Sequence, residues 1–416
     1  MEQTWLVTAS VLAGAVLLLA LAQVVYVWLY HRGARQPLSY ATAAEVPGRV
    51  AVIVCLRGHD PSLVASLEGL GNQNHPDFEI HLALDSSTDA AIRVAREFAA
   101  RARVPTSVHV LAEPSRNCGL KCDLQRLAYS RISERVEYVV FTDADCVAPP
   151  DWLRGLLHPF TQSKTGAVSG NRWYGHAPGW GSEIRRIWNA AAIVQMYLYR
   201  IPWGGALALR RTAIEQANLI SVWSRTLCED TVVQRALAKI GLQVAWIPRL
   251  ALISHEEARP AAAANWIVRQ LITAKLYHPA WPLVAGHSLL VGSTTLLSVL
   301  GIVLTGLAGQ GSACLLLASG FAIAQLSNLG LLAWIEETTV PAPERQREVM
   351  ETARQLPGQL LLVTVTQLVH SWAAFKAMLA QEITWRGIRY RLGKRSVELL
   401  NYEPYDQSHD PKQSIF

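Results

Sequence analysis

Val136-Glu137-Tyr138-Val139-Val140-Phe141-Thr142-Asp143-Ala144-Asp145 decides how this chain is read. A run of β-forming residues ends in two carboxylates spaced i, i+2. In an extended chain that spacing puts both side chains on one side. If the run is a strand of an open α/β sheet, the carboxylates stand beyond its carboxyl end, where such sheets bind ligands. Two hard oxygen donors there suit Mg²⁺ or Mn²⁺, which take one or two carboxylates and complete their shell with substrate phosphates. Alone, the Asp-x-Asp is equally a polar turn closing a strand, so the rest of the chain has to decide.

Residues 46–255 around it read as one α/β unit. Apolar β runs at 49–56, 78–84, 107–112 and 137–142 alternate with helical spacing at 61–70, 88–103 and 121–130. That alternation implies a parallel sheet with right-handed crossovers. Beyond it, Pro149-Pro150 starts a helix running through residue 160, and 166–170 is a short strand. Residues 185–200 form an amphipathic helix whose Ile187, Trp188, Met196 and Tyr197 suit either a core or the lipid head-group region. Residues 256–280 contain a second segment of interfacial character.

The flanks belong to a membrane. The chain has 416 residues, 51% of them hydrophobic and only 17% charged. Residues 5–30, 281–307 and 313–334 carry no Asp, Glu, Lys or Arg, and each is long enough to cross a bilayer. A fourth run, 360–379, is interrupted by Gln367, His370 and Lys376. Met1 to Thr4 supplies no basic residue for a signal-peptide n-region, so residues 1–35 read as a transmembrane signal-anchor. His31, Arg32 and Arg35 then put the following domain in the cytoplasm, with Tyr26, Trp28 and Tyr30 in the interfacial aromatic belt. Residues 281–380 are the C-terminal membrane region and 381–416 a basic tail with Arg386, Arg389, Arg391, Lys394 and Arg395. Three crossings after a cytoplasmic domain would place that tail outside, against the charge rule. Residues 360–379 are therefore read as interfacial or re-entrant, and the charged stretch 336–355 as a solvent loop.

Six scattered cysteines show no metal-site spacing and read as reduced thiols. The net charge of +6 is spread without aromatic interleaving, which argues for anionic head groups and against nucleic acid as a partner. The first three spans carry essentially no charged residues, which argues against a transporter.

Chemistry-bearing residues recur at strand ends and helix starts. Asp85 follows the 78–84 strand, where a carboxylate either closes a turn or accepts hydrogen bonds from a base or ribose. Lys121 begins a helix after Asn117-Cys118-Gly119-Leu120, placed to bind a diphosphate or to lie solvated. Asp230, in Cys228-Glu229-Asp230-Thr231, is either a helix cap or a general base.

In this order, Asp85, Lys121, Asp143-Ala144-Asp145 and Glu229-Asp230 resemble the inverting family 2 glycosyltransferases, which have the GT-A nucleotide-diphosphosugar fold. Cys55-Leu56-Arg57-Gly58, Gly204-Gly205-Ala206, Arg269-Gln270 and Ile383-Thr384-Trp385-Arg386-Gly387 resemble ceramide-glucosyltransferase-type enzymes more narrowly. Bacterial relatives of those act on lipid acceptors, including hopanoids. The resemblance implies a bacterial inner-membrane enzyme that uses a UDP-sugar donor, a lipid acceptor and a divalent cation. Asp85 would contact the uridine and Arg57 would line the nucleotide pocket. Lys121 and a metal at Asp145 would neutralise the diphosphate, with Asp143 between metal, ribose and sugar. Gly204 and Gly205 would let backbone approach the sugar, and Asp230 would be the base.

The broader family's Gln-x-x-Arg-Trp is absent. Asn265-Trp266-Ile267-Val268-Arg269-Gln270 stands in its place, which leaves the roles of Trp266, Arg269 and Gln270 open and argues against a processive polysaccharide synthase. That synthase and a non-catalytic membrane nucleotide-binding protein are the alternatives.

Overall fold

The computed structural model describes residues 2–35, 46–58, 60–354 and 356–405. Helix α1 (Glu2–Ala34) leads into β1 (Arg49–Leu56), α2 (Leu63–Gly71), β2 (Phe78–Leu84), α3 (Ala91–Arg101), β3 (Thr106–Val110), α4 (Leu120–Tyr129) and β4 (Val136–Thr142). There follow α5 (Trp152–Leu157), β5 (Thr165–Tyr174), α6 (Trp180–Tyr199), β6 (Ala206–Arg210), α7 (Arg211–Gln216), α8 (Leu219–Trp223), α9 (Val233–Ala238) and β7 (Gln243–Ser254). The chain continues through α10 (Pro260–Tyr277), α11 (Trp281–Leu307), α12 (Gly311–Thr339), α13 (Ala342–Arg354) and α14 (Leu356–Leu379). It ends in β8 (Glu382–Trp385), β9 (Ile388–Leu392) and β10 (Val397–Asn401).

Seven strands form one sheet in the order β3-β2-β1-β4-β6-β5-β7. The first four are parallel, as their alternation with helices requires. Beyond the four strands whose alternation with helices implies a parallel sheet, β6 runs antiparallel to both β4 and β5. The sheet is buried on both faces, so its central strands are apolar throughout. Ala51 and Ile53 of β1 face one core with Phe141, Trp173 and Trp223, while Val50, Val52 and Val54 face the other with Leu67, Phe98 and Trp152. This two-sided burial fixes β4 at the centre and brings its C-terminal Asp143 to the edge where β6 also begins.

Four helices are long and apolar enough to cross a membrane: Glu2–Ala34, Trp281–Leu307, Gly311–Thr339 and Gly358–Leu379. Val11, Leu18, Leu290, Leu304, Leu315 and Ile323 stand exposed on the first three, the pattern of a lipid-facing surface. Tyr30 is not in an exposed aromatic belt. It is fully buried, bonds Thr339 Oγ1 at 2.8 Å and packs edge-on against Tyr197.

Both ends of α14 lie against the α/β domain and its flanking helix. Near its start, Gln359 bonds Arg186 and Glu183 of α6 at 3.1 and 3.0 Å. Past its end, the Lys275 ammonium of α10 donates to the carbonyls of Ala377, Met378 and Ala380 at 2.9–3.1 Å, using all three of its protons. The stretch 336–355 is not a solvent loop over its described residues. Glu336 closes α12, buried against Arg186, and 342–354 is helix α13, whose Glu348 accepts from the His176 N–H at 3.1 Å. Two of its charges, Glu336 and Glu348, meet partners on α6 and the loop before it. Helix α6 itself starts five residues earlier than its periodicity suggests, and its Glu183, Arg185 and Arg186 are buried.

The described part of the tail is a three-stranded antiparallel sheet, β10-β9-β8, packed on the α/β domain. Tyr390 Oη accepts from the Leu120 N–H at 3.1 Å, and the Leu399 N–H donates to the Arg116 carbonyl at 2.7 Å. Residues 406–416 lie outside the described chain.

Candidate active site

A cavity of about 200 Å³ opens at the carboxyl end of β4. It gathers Arg57, Lys121, Asp143, Asp145, Gly204, Asp230, Trp266, Arg269 and Gln270 from six separate parts of the chain. Gly205 lies directly behind: a Cβ there would come within 2.6 Å of Asp143 Oδ2. Asp85 does not line this cavity. It faces an adjoining one with Arg116 and Tyr402, and Arg57 stands between the two.

Lys121 sits in the first turn of α4, after a glycine that is indispensable there: a Cβ on Gly119 would collide with the Leu227 carbonyl at 2.0 Å. Its ammonium lies 2.8 Å from both Asp143 Oδ1 and Glu229 Oε1. Burial works against its charge, yet the two carboxylates hold its pKa well above the ordinary lysine value. This is a fixed positive charge in a desolvated place.

Asp145 pairs with Arg172 of β5, whose guanidinium also donates to Tyr174 Oη at 3.0 Å and lies 5.5 Å from the Trp203 ring. Burial opposes the Asp145 charge, and Arg172 overrides it, holding the carboxyl below the usual carboxylate range. Each member of the Asp-x-Asp therefore gives one oxygen to a cation of the protein, Asp143 to Lys121 and Asp145 to Arg172. Both residues line the same cavity. Two hard anionic donors beside a phosphate-sized space fit Mg²⁺ or Mn²⁺, provided substrate oxygens complete the shell. Among the described residues, one set of three brings potential ligand atoms within 4.8 Å: His176, Glu336 and Glu348. It has no member in the Asp-x-Asp, and His176 Nδ1 is engaged by Glu183 at 2.8 Å.

Asp230 is not a simple helix cap, because α9 starts only at Val233. Its carboxylate accepts from the Gly204 N–H at 2.9 Å and from its neighbour's N–H at 2.6 Å. A Cβ on Gly204 would meet Glu229 Oε1 at 2.0 Å, so only glycine brings this backbone so close. Burial first, then the Glu229 charge, push the Asp230 pKa up to about 6. A carboxylate tuned there is ionised at neutral pH and accepts a proton better than an ordinary aspartate.

Beside this cavity, Arg57 pairs with Asp85 and donates to the carbonyls of Arg386 and Glu403 at 3.1 and 2.8 Å. Arg386 returns a bond to the Arg57 carbonyl at 2.9 Å. Asp85 also accepts from Tyr402 Oη at 3.1 Å, while its Oδ1 is buried without a hydrogen-bond partner. Such an orphaned acceptor suits a ligand N–H or hydroxyl. Trp266 packs edge-on between Tyr174 and Trp188, with ring centroids 5.4 and 5.2 Å away. Arg269 lies 5.5 Å from the Trp385 ring, its pKa lowered to about 10 by burial and by Arg386.

Sequence reasoning missed Arg172, the partnership of Glu229 with Lys121, and the tail residues Tyr402 and Glu403. A signal for Arg172 existed. Asn171-Arg172 brings the amide and the charge of a strand that otherwise holds only small, hydroxyl and apolar side chains, and which extends to Tyr174 and not merely to Gly170.

A mixed sheet with an Asp-x-Asp beyond its central strand and a half-buried lysine and aspartate facing it is the arrangement of a GT-A-type glycosyltransferase. The chain belongs to glycosyl transferase family 21, whose model matches residues 14–397, and it is a glycosyltransferase. This is the ceramide-glucosyltransferase-like group, the narrower of the two resemblances seen in the sequence. Among solved structures, the chain is similar to the mannosyltransferase PcManGT from Pyrobaculum calidifontis, solved with GDP-Man and Mn²⁺. Identity is 17% and the TM-score 0.53, over 88% of this chain and 99% of that one. It also matches S. aureus TarS 1–349 at 13% identity and a TM-score of 0.38, over 83% of this chain and 96% of that one. The first of these likenesses supports the GT-A fold.

Proposed function

We propose that the protein transfers a hexose or N-acetylhexosamine from a UDP-sugar to a lipid hydroxyl, with inversion, at the Asp143–Asp145–Asp230 cavity. The observation that carries this is Asp230. A carboxylate with its pKa pushed up to about 6 faces the same cavity as Lys121 and the Asp-x-Asp. In-line displacement needs a base on one side of the sugar and charge neutralisation on the other.

Asp85 and Arg57 would hold the uridine, with the orphaned Asp85 oxygen as acceptor. Lys121 would meet the diphosphate, exchanging part of its contact with Asp143 for phosphate oxygens. A divalent cation held by Asp143 and Asp145 would supply further charge neutralisation, as the Mn²⁺ of the mannosyltransferase neighbour suggests. Asp230, fixed by the Gly204 N–H, takes the proton of the attacking hydroxyl. Trp266, Arg269 and Gln270 line the acceptor side of the cavity.

We place the α/β domain in the cytoplasm, with α1, α11 and α12 crossing the membrane. The tail sheet packs on the α/β domain, so the chain re-emerges on the side it left. Helix α14, held at both ends on that side, then lies within the membrane face without crossing it. A hopanoid-like, ceramide-like or glycerolipid acceptor would reach the cavity from there.

Membranes containing the protein are incubated with labelled UDP-sugars and a total lipid extract. Label should enter a lipid with wild type and not with Asp230→Asn. Equal transfer by both proteins would remove the base from this account.

A further inference from the structure

The catalytic cavity does not end at Asp230. A second cavity of about 90 Å³ shares Trp188, Met196, Trp203, Asp230, Gln270 and Thr273 with it. A third, of about 120 Å³, shares Trp188, Ala191, Gln195 and His370 with the second. The series therefore runs from the candidate base, past Trp188, into the bundle formed by α1, α6, α11, α12 and α14.

The third cavity is apolar along Val27, Ile187, Val291 and Leu332. It also carries polar groups at a depth where they are costly unless used. Thr366 is 5% exposed, and its Oγ1 is buried without a hydrogen-bond partner. Gln195 lines both the second and third cavities, and Gln23 faces the third. Among the described residues, no side-chain hydrogen bond to either glutamine or to the His370 ring is formed. Gln367, on the same wall, does find partners, accepting from Thr295 at 2.9 Å and from Gln325 at 3.1 Å. The wall of this cavity thus carries both satisfied polar groups and, at Thr366, a buried hydroxyl that no protein group meets.

Resting on the proposed lipid acceptor, we infer that these connected cavities hold that acceptor's body. Its reacting hydroxyl lies at Asp230, its apolar part passes Trp188 and Ala191, and a further hydroxyl or amide meets Thr366, Gln195 and His370. The ligand class is a lipid polar at more than one position, as opposed to a plain long-chain alcohol.

Three measurements test this. A photoreactive benzophenone amino acid at Val291, which lines the third cavity alone, should capture labelled acceptor lipid in an Asp230-intact protein. Capture should be lost on competition with unlabelled acceptor. Ala191→Trp, filling the junction, should lower transfer to lipid at least tenfold while leaving metal-dependent UDP binding unchanged. Thr366→Val should raise KM several-fold for a polyhydroxylated acceptor and not for a simple long-chain alcohol. Transfer to lipid by wild type, with no specific capture at Val291 and undiminished transfer by Ala191→Trp, overturns the cavity assignment alone. If the wild type glycosylates no lipid, the acceptor reading falls and this inference with it.

Discussion

Replacing Asp230 by Asn gives the sharpest consequence of the site's electrostatics. In the folded protein, burial and Glu229 raise this carboxyl from 3.8 to about 6. A native pKa above the unfolded one means the folded state binds the proton more tightly. Stability linked to this group is therefore fully present below the unfolded pKa and is lost as pH rises through about 6. Between pH 4.5 and 7.5 the loss is roughly 2 kcal/mol, at about 1.4 kcal/mol per pH unit up to the native pKa. Asn does not titrate. Its stability relative to wild type should then rise by that amount across the window, about 2–4 °C in apparent Tm for a chain this large. Differential scanning fluorimetry in detergent at several pH values reads this directly. The same substitution should cut kcat by roughly 10²–10⁴-fold. Wild-type kcat/KM should fall about tenfold per pH unit below 6, and that limb should disappear in the residual activity of the variant. A variant with near wild-type turnover, or a Tm difference flat from pH 4.5 to 7.5, would refute the assignment.

Other perturbations probe the surrounding parts. Asp145→Asn should lower UDP-sugar turnover on the order of 10²-fold, and EDTA should abolish wild-type activity reversibly, with Mn²⁺ or Mg²⁺ restoring it; activity immune to chelation contradicts the metal role. Deleting residues 381–416 removes the carbonyls that hold Arg57, so Kd for UDP should rise by roughly tenfold, about 1.4 kcal/mol, in a protein still monodisperse by size exclusion. Lys275→Met strips three bonds from the end of α14 and should cost about 1–3 kcal/mol, seen as a lower apparent Tm that Lys275→Arg partly recovers. For topology, an alkaline phosphatase fusion after Gly309 should be active and a fluorescent protein fusion after Lys394 should fluoresce; the reverse pattern inverts the proposed orientation.

Much of the fold was legible because apolar runs and turn residues agreed along β1 to β4, where burial on both faces leaves no alternative for the sequence. The direction of β6 was not legible. Ala206 to Arg210 reads the same whichever way it runs, and only its pairing with β4 and β5 decides. The charged stretch after Glu336 was misread for a related reason. Composition makes it look solvated, while Arg186 and the His176 N–H, distant in sequence, consume Glu336 and Glu348. At the site, Lys121, Asp143, Asp145 and Asp230 were found because each follows a recognisable strand or precedes a helix. Arg172 was overlooked because it lies inside a strand, where a charged side chain is explained only by the carboxylate it faces. The separation of Asp85 from the main cavity depends on Arg57 and on a tail more than 300 residues away in sequence, which no local pattern reveals.

The central claim is that this cavity couples donor cleavage to acceptor glycosylation. Purified protein in lipid nanodiscs, given a UDP-sugar labelled in both parts, divalent cation and candidate acceptor lipid, allows both products to be counted together. The account predicts one UDP released for each sugar found in lipid, in the opposite anomeric configuration to the donor, and neither product with Asp230→Asn. UDP release without glycosylated lipid, or transfer with the anomeric configuration retained, would contradict it.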